Sequence, residues 1–314
     1  MRALITGAAG FIGSHLSARL LADGHDVTGL DAFTPYYDLE AKRANLQPLL
    51  RHSGFGLVEA DLRTADLQPL TDVDVVFHLA AQPGVRTSWG NPFADYLGHN
   101  TLATQRLLEA SRATVTPPRF VLASSSSIYG EAERHPTSED VKPRPVSPYG
   151  VTKLAAEQLL EAYAANFGVE GVALRFFTVY GPGQRPDMAF HRFIRAMLQG
   201  DSIEVFGDGE QTRDVTFVGD AVDATVAAGL NRSAAGAINV GGGSQVAVNE
   251  VLDLLERILG RAAEVIRKDP SPGDVRHTSA DLTRAGELLG YAPAVGIEEG
   301  LRREVEWLRG RLGG

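Results

Sequence analysis

The chain has 314 residues, 44% of them hydrophobic and 22% charged, with a formal net charge of -9. That is long enough for a nucleotide-binding domain plus a smaller lobe. With no Lys/Arg-rich run and no cysteine, nucleic-acid and anionic-lipid partners are disfavoured, and disulfides, thiol catalysis and cysteine-ligated zinc are excluded.

The N-terminus, Met1-Arg2-Ala3-Leu4-Ile5-Thr6-Gly7, runs straight into a strand, without signal-peptide architecture or a bilayer-length apolar run. A cytoplasmic location is the expectation, with no membrane partner and no metal site. Arg2–Thr6 reads as a buried strand and Phe11–Asp23 as the helix after it. Between them, Gly7, Gly10 and Gly13 follow a G-x-x-G-x-x-G spacing. Such glycines permit a tight turn, close backbone approach to a pyrophosphate and close helix–strand packing, with the helix N–H groups, including those near Phe11 and Ile12, open to phosphate. By spacing alone the segment is equally a glycine-rich turn; its place after an N-terminal strand points to a dinucleotide.

Asp26–Asp31 is a second predicted strand. Asp31 at its end stands where an acidic residue accepts the adenosine ribose hydroxyls and repels a 2′-phosphate, which favours NAD over NADP. An exposed strand-end aspartate is the bland alternative. Phe55–Ala60 and Val73–Ala80 are the next strands. Asp61 and Leu62 after the third are expected to border the adenine, and Ala80 and Ala81 after the fourth to lie beneath the cofactor. His78 reads as a core histidine.

Helical periodicity covers Phe93–Ala113 and Tyr149–Phe167, with strands at Arg119–Ser124 and Val169–Phe177. Alternating strands and helices predict an α/β fold with a parallel, doubly wound sheet, whose ligands bind beyond the carboxyl ends of the strands. After Thr178 the pattern becomes turn-rich, with a short helix near Phe190–Gln199 and a strand near Gly236–Gly243 returning to the sheet. We expect residues 1–177 and 214–241 to form the dinucleotide-binding domain, and 178–213 with 242–314 a discontinuous second lobe.

Tyr149 and Lys153 are four residues apart, one helical turn. A phenol titrates near ~10 and is a poor base at neutral pH. An ammonium beside it at ~4 Å favours the phenolate by about 4 kcal/mol at an effective dielectric of ~20, about three pKa units.

These residues, with His78-Leu79-Ala80-Ala81-Gln82, Ala123–Gly130, Arg175–Pro182 and Gly207–Asp214, resemble the extended short-chain dehydrogenase/reductase family, and within it the nucleotide-sugar epimerases. Pro83–Trp89, Phe176–Pro182 and Arg185–Ala189 look most like the UDP-glucuronate 4-epimerases. The resemblance implies an isomerase with tightly bound NAD and a UDP-sugar substrate: Tyr149 takes the C4 hydroxyl proton, Lys153 anchors the nicotinamide ribose, and the third catalytic residue is Ser125. Interconversion of UDP-glucuronate and UDP-galacturonate is the implied reaction. A UDP-glucose/UDP-galactose 4-epimerase is the alternative, and a non-catalytic NAD-binding sensor or scaffold a more distant one. The family's paired helices imply a homodimer through Phe93–Ala113 and Tyr149–Phe167, unless their apolar stripes simply pack on the sheet.

Dehydratases of the family carry Asp-Glu after the catalytic hydroxyl residue, and its decarboxylases carry Glu at the second of those positions; this chain has Ser126 and Ser127. Hydroxyls cannot do that acid–base chemistry at neutral pH. Thr178 replaces the Asn of most relatives. It is either a β-branched residue chosen for strand packing or, with Ser126 and Ser127, part of a hydroxyl pocket for the sugar carboxylate. Arg185 and Arg213 are expected on the diphosphate, whose oxygens match a guanidinium fork. Arg86 is either near the sugar or in a structural ion pair. Met188, Ala189 and Phe206 either enclose the uracil or belong to the second-lobe core. Relatives carry an arginine where this chain has Ser271. Asp274 is expected on the uridine ribose, and Arg276 is a candidate substitute for that arginine.

Overall fold

The computed structural model describes residues 1–270 and 272–312. In chain order, Arg2–Thr6 (β1), Phe11–Ala22 (α1), Asp26–Asp31 (β2), Leu39–Leu46 (α2), Phe55–Glu59 (β3) and Val75–His78 (β4) build the first half of a sheet. The helical stretch predicted over Phe93–Ala113 is not uniform. Phe93–Tyr96 (α3) passes through a π-helical segment, Leu97–Leu102, into Ala103–Arg112 (α4). The widened turn carries buried Asn100, whose amide donates to Thr152 Oγ1 at 2.9 Å and accepts the Gln82 amide at 2.7 Å. That ties the helix to the loop after β4.

Arg119–Ser125 (β5), Pro148–Phe167 (α5) and Gly171–Phe176 (β6) follow. The chain then leaves the sheet through Thr178–Tyr180 (β7), Ala189–Gln199 (α6), Ile203–Phe206 (β8), Thr212–Phe217 (β9) and Val218–Leu230 (α7). It returns as Gly236–Val240 (β10), then continues through Gln245–Ala247 (β11), Val248–Leu259 (α8), Val265–Lys268 (β12), Thr283–Leu289 (α9) and Ile297–Leu312 (α10).

The main sheet is parallel throughout, in the order β10-β6-β5-β4-β1-β2-β3. Side-chain alternation gives it two buried faces. Leu4 joins Leu107 and Leu160 of the α4–α5 layer, while Ile5 joins Leu16, Leu20 and Val222 of the α1–α7 layer. The chain order reverses at β1, between β2 and β4. A crevice opens there beyond the carboxyl ends of the strands. Two smaller sheets, β11-β9-β7 and the β12-β8 pair, lie outside the main one.

Candidate active site

A cavity of about 370 Å³ lies along the carboxyl ends of the strands. At one end it is lined by Gly7, Gly10, Phe11, Ile12, Gly13, Asp31, Asp61, Leu62, Ala80 and Ala81. Each residue expected at the cofactor therefore faces one space, with Tyr149 and Lys153 further along it. The glycine turn is as tight as its spacing implies: a Cβ on Gly13 would stand 2.1 Å from the Gly7 carbonyl oxygen. Helix α1 starts at Gly10 without a side-chain cap, and its backbone ladder begins only with the Ser14 amide on Gly10. The first-turn N–H groups thus remain available to an anion. Asp31 is buried and accepts the Ala9 amide at 3.0 Å and the Phe33 amide at 2.8 Å. That pins the glycine turn to the end of β2. An open helix N-terminus, a close-packed turn and a buried carboxylate together suit a dinucleotide.

At the other end Ser125, Ser126, Ser127, Tyr149, Thr178, Arg185 and Met188 line the same cavity. Their meeting has local causes. Ser147 caps α5 by accepting the Gly150 amide at 3.1 Å, with Pro148 in the first turn. Gly150 lets this helix end press on the serine turn, since a Cβ there would lie 2.6 Å from the Ser127 carbonyl. Ser125 accepts the Ser127 amide at 3.1 Å and stands beside the Tyr149 phenol. It therefore caps the loop and adjoins the tyrosine at once.

The electrostatics differ from those expected of a Tyr-x-x-x-Lys pair. Withdrawal from water raises the Tyr149 pKa, against the lowering effect of the Ser125 hydroxyl and the Arg185 charge. Lys153 Nζ lies 6.0 Å from the phenol ring centroid and donates to the Ala123 carbonyl at 2.9 Å. Burial pushes its own pKa down to about 8, with Glu157 working the other way. The helical spacing brings the two residues together, and the lysine also binds the β5 carbonyl.

Glu157, a turn beyond Lys153, is held by Arg175 at 2.8 Å and by the Ser124 hydroxyl. Arg175 continues to the Tyr129 hydroxyl at 2.8 Å, which donates to Asn239 at 2.8 Å. This buried network fixes β5, α5, β6 and β10 behind the serines. His78 is a core residue, with Nδ1 2.7 Å from Thr6 Oγ1 and Nε2 3.0 Å from Thr104 Oγ1.

The structure divides the other expected substrate residues. Arg185 lines the reaction cavity, paired with Asp187 at 2.9 Å. Arg213 lies apart from that lining, among Asp274, Arg86 and Glu131. Arg86 makes the ion pair anticipated as one of its two readings, reaching Asp274 at 2.5 and 3.1 Å, and it stacks on Phe206 at 4.1 Å. Asp274 is therefore engaged by Arg86. Arg276 pairs with Asp208 at 2.8 and 2.9 Å. Ala189 opens α6 beside cavity-lining Met188. Ser271 lies outside the described residues.

Sequence reasoning missed Thr34, Tyr36, Tyr37 and Lys42, which line the cavity from the segment after β2. Buried Lys42 donates to the Thr34 carbonyl at 2.9 Å and lies 3.9 Å from Asp31. Its scarcity was the available signal, for the chain has four lysines.

A family model described as the NAD dependent epimerase/dehydratase family matches residues 3–241. The chain belongs to that family. The crystal structure of a UDP-glucuronic acid 4-epimerase from Bacillus cereus, in complex with UDP-glucuronic acid and NAD, superposes with a TM-score of 0.95. It is 44% identical, over 99% of this chain and 100% of that one. A Bacillus subtilis (strain 168) protein named an uncharacterized UDP-glucose epimerase, YtcB, is 47% identical over 98% of both chains. A probable UDP-glucuronate 4-epimerase of Rhizobium meliloti (strain 1021) is 38% identical over 98% of this chain and 96% of its own. In this member of the family Ser125, Tyr149 and Lys153 line one cavity. No helix among its described residues is long and apolar enough to cross a membrane.

Proposed function

We propose that this protein is an NAD-dependent 4-epimerase, an isomerase that interconverts UDP-glucuronate and UDP-galacturonate. The observation that carries the reading is the composition of the cavity. Asp31 and Asp61 are the acidic side chains among its described lining residues, and both belong to the end with the glycine turn. Around Tyr149 the wall offers the hydroxyls of Ser125, Ser126, Ser127 and Thr178 and the charge of Arg185. An acidic sugar meets donors there, and no carboxyl group stands ready for dehydration at C5 and C6. The retained Ser/Tyr/Lys set argues against a non-catalytic scaffold.

Bound NAD supplies reversible hydride acceptance at the sugar's C4. The chain's own residues move the proton and hold the substrate. Tyr149 takes the C4 hydroxyl proton and later returns it, with Ser125 orienting the hydroxyl. Lys153, its pKa lowered toward neutrality, adds a positive charge that favours the phenolate when it is protonated. The 4-keto sugar must then turn over so that its other face is reduced. This intermediate is a β-keto acid, which loses CO2 when its C–COO− bond aligns with the carbonyl π system. Ser126, Ser127 and Thr178 hold the carboxylate away from that alignment without contributing a titratable acid.

In this reading residues 178–213 and 242–314 form the nucleotide-sugar lobe, with Arg185 and Arg213 meeting the anionic parts of the substrate. Met188, Ala189 and Phe206 lie toward the uracil, and Asp274 toward the ribose. The Arg86–Asp274 pair exchanges with substrate contacts on binding. A homodimer belongs to the same reading, supported by Leu97, Leu102, Val151 and Phe167, apolar yet 44–50% exposed on the Phe93–Arg112 stretch and α5. Monomeric mass in light scattering at micromolar concentration rejects it. A cytoplasmic location is proposed too, and cell fractionation tests it.

Incubation of the purified protein with UDP-glucuronate and, separately, UDP-glucose, followed by NMR of the products, tests the activity. Epimerisation of UDP-glucuronate is the expected result. The Bacillus subtilis relative's name favours UDP-glucose as the second reading, and turnover of UDP-glucose alone would establish it.

A further inference from the structure

Glu304 sits on α10, outside the cavity, and is fully buried. Its helix face is otherwise apolar or small: Gly300, Leu301, Val305 and Leu308 are its buried companions. Oε2 accepts the Gly181 amide at 2.9 Å, while Oε1 has no hydrogen-bond partner among the described residues. A carboxyl group buried this way opposes folding, and an aliphatic side chain would pack there at less cost. Its presence calls for a gain elsewhere.

The gain is found on the segment that Glu304 touches. Gly181 follows β7 directly and opens the turn closed by the Gln184 amide on its carbonyl at 3.0 Å. Thr178 lies three residues before Gly181 and Arg185 four after it, and both line the cavity. Gln184 fastens the turn inward: its amide donates to the Val179 carbonyl at 3.2 Å and accepts the His191 amide at 2.9 Å. His191 packs edge-on against Trp307 of α10, with ring centroids 5.9 Å apart. Tyr180 fills the space over Gly300, where a Cβ would stand 2.2 Å from its hydroxyl. Helix α10 therefore supports the segment from behind through Gly300, Glu304 and Trp307.

We propose that Glu304 is a positioning residue for the sugar nucleotide: by holding the Gly181 amide it fixes Thr178 and Arg185 relative to each other in the cavity wall. This rests on reading Thr178 and Arg185 as substrate contacts. Tyr180, Asp220 and Arg303 are the titratable groups in this neighbourhood. Burial raises the Glu304 pKa to about 8, so at neutral pH it is an uncharged acceptor. Glutamine reproduces that state.

The test compares Glu304→Leu, which removes the acceptor, with Glu304→Gln, which keeps it. Glu304→Leu is expected to raise KM for UDP-glucuronate about tenfold, with kcat within about threefold of wild type. Its NAD content should match wild type, and Glu304→Gln should return KM to about the wild-type value. An unchanged KM in Glu304→Leu overturns the proposal, as does a Glu304→Gln variant no better than Glu304→Leu. If Glu304→Leu does not fold, Gly300→Ala displaces Tyr180 by a methyl group instead, and an unchanged KM there overturns the proposal equally. A wild type inactive on UDP-glucuronate sinks the substrate reading alone; the same KM comparison is then made with UDP-glucose.

Discussion

Lys153 and Tyr149 are one helical turn apart, yet the ammonium lies 6.0 Å from the centre of the phenol ring and donates to the β5 backbone. Ser125 stands beside the phenol. In the proposed mechanism proton transfer runs through a Ser125–Tyr149 pair, with Lys153 as a buried charge beside it. In Tyr149→Phe the base is gone while the cavity keeps its shape. We expect turnover to fall by about a hundredfold to ten-thousandfold, with UDP-sugar affinity by calorimetry within about threefold. Lys153→Ala should be similarly severe and should also lower NAD content. Near-normal turnover in either variant would refute the assigned mechanism.

Asp31 carries two duties, since its oxygens hold the Ala9 and Phe33 amides at the dinucleotide end. Asp31→Ala leaves both amides without that acceptor, at about 1–3 kcal/mol each if water cannot reach them. Lower Tm and weaker NAD retention are expected together. Full NAD occupancy after dialysis, or a preference for NADP in the wild type, would show that Asp31 has another role.

Thr178 tests fidelity. The wild type should give little UDP-pentose, whereas Thr178→Ala lets the 4-keto acid sample the aligned geometry. A change of ~1.4 kcal/mol in the difference between the two barriers shifts the product ratio tenfold. Loss of one or two hydrogen bonds to a charged group supplies that much. The ratio of decarboxylated product to epimer, read by NMR, decides. An unchanged ratio removes the hydroxyl pocket as the restraint.

Glu304 gives a pH dependence of stability with a definite sign. Its folded pKa, about 8, stands above the ordinary glutamate value of 4.5. The folded state therefore holds a proton that the unfolded state has released. The associated stability is fully present below about 4.5 and is lost as pH rises through 8, on the order of a few kcal/mol. Tm should fall across this window in the wild type, and Glu304→Gln should flatten the fall. Parallel curves for the two proteins would contradict the assignment.

Much was legible in the sequence because it is carried by local rules. Short, almost continuously apolar strands alternating with helices determined the parallel sheet, and the glycine spacing after β1 the dinucleotide end. The hydroxyls at positions 125–127 and 178 were singled out through the family resemblance, which compares single positions along the sequence. Tertiary structure decided what depends on partners far along the chain. It took the Lys153 ammonium to Ala123 and set Arg86 on Asp274, 188 residues away. It separated Arg185 from Arg213 and put Lys42 beside Asp31. Glu304 shows the reason most clearly. On a helix wheel it is one more acidic residue in a charged C-terminal helix, and only burial against Gly181, 123 residues earlier, turns it into a neutral acceptor. Spacing reports which side chains share a turn or a face, whereas desolvation and pairing across the fold set their charge and their partners.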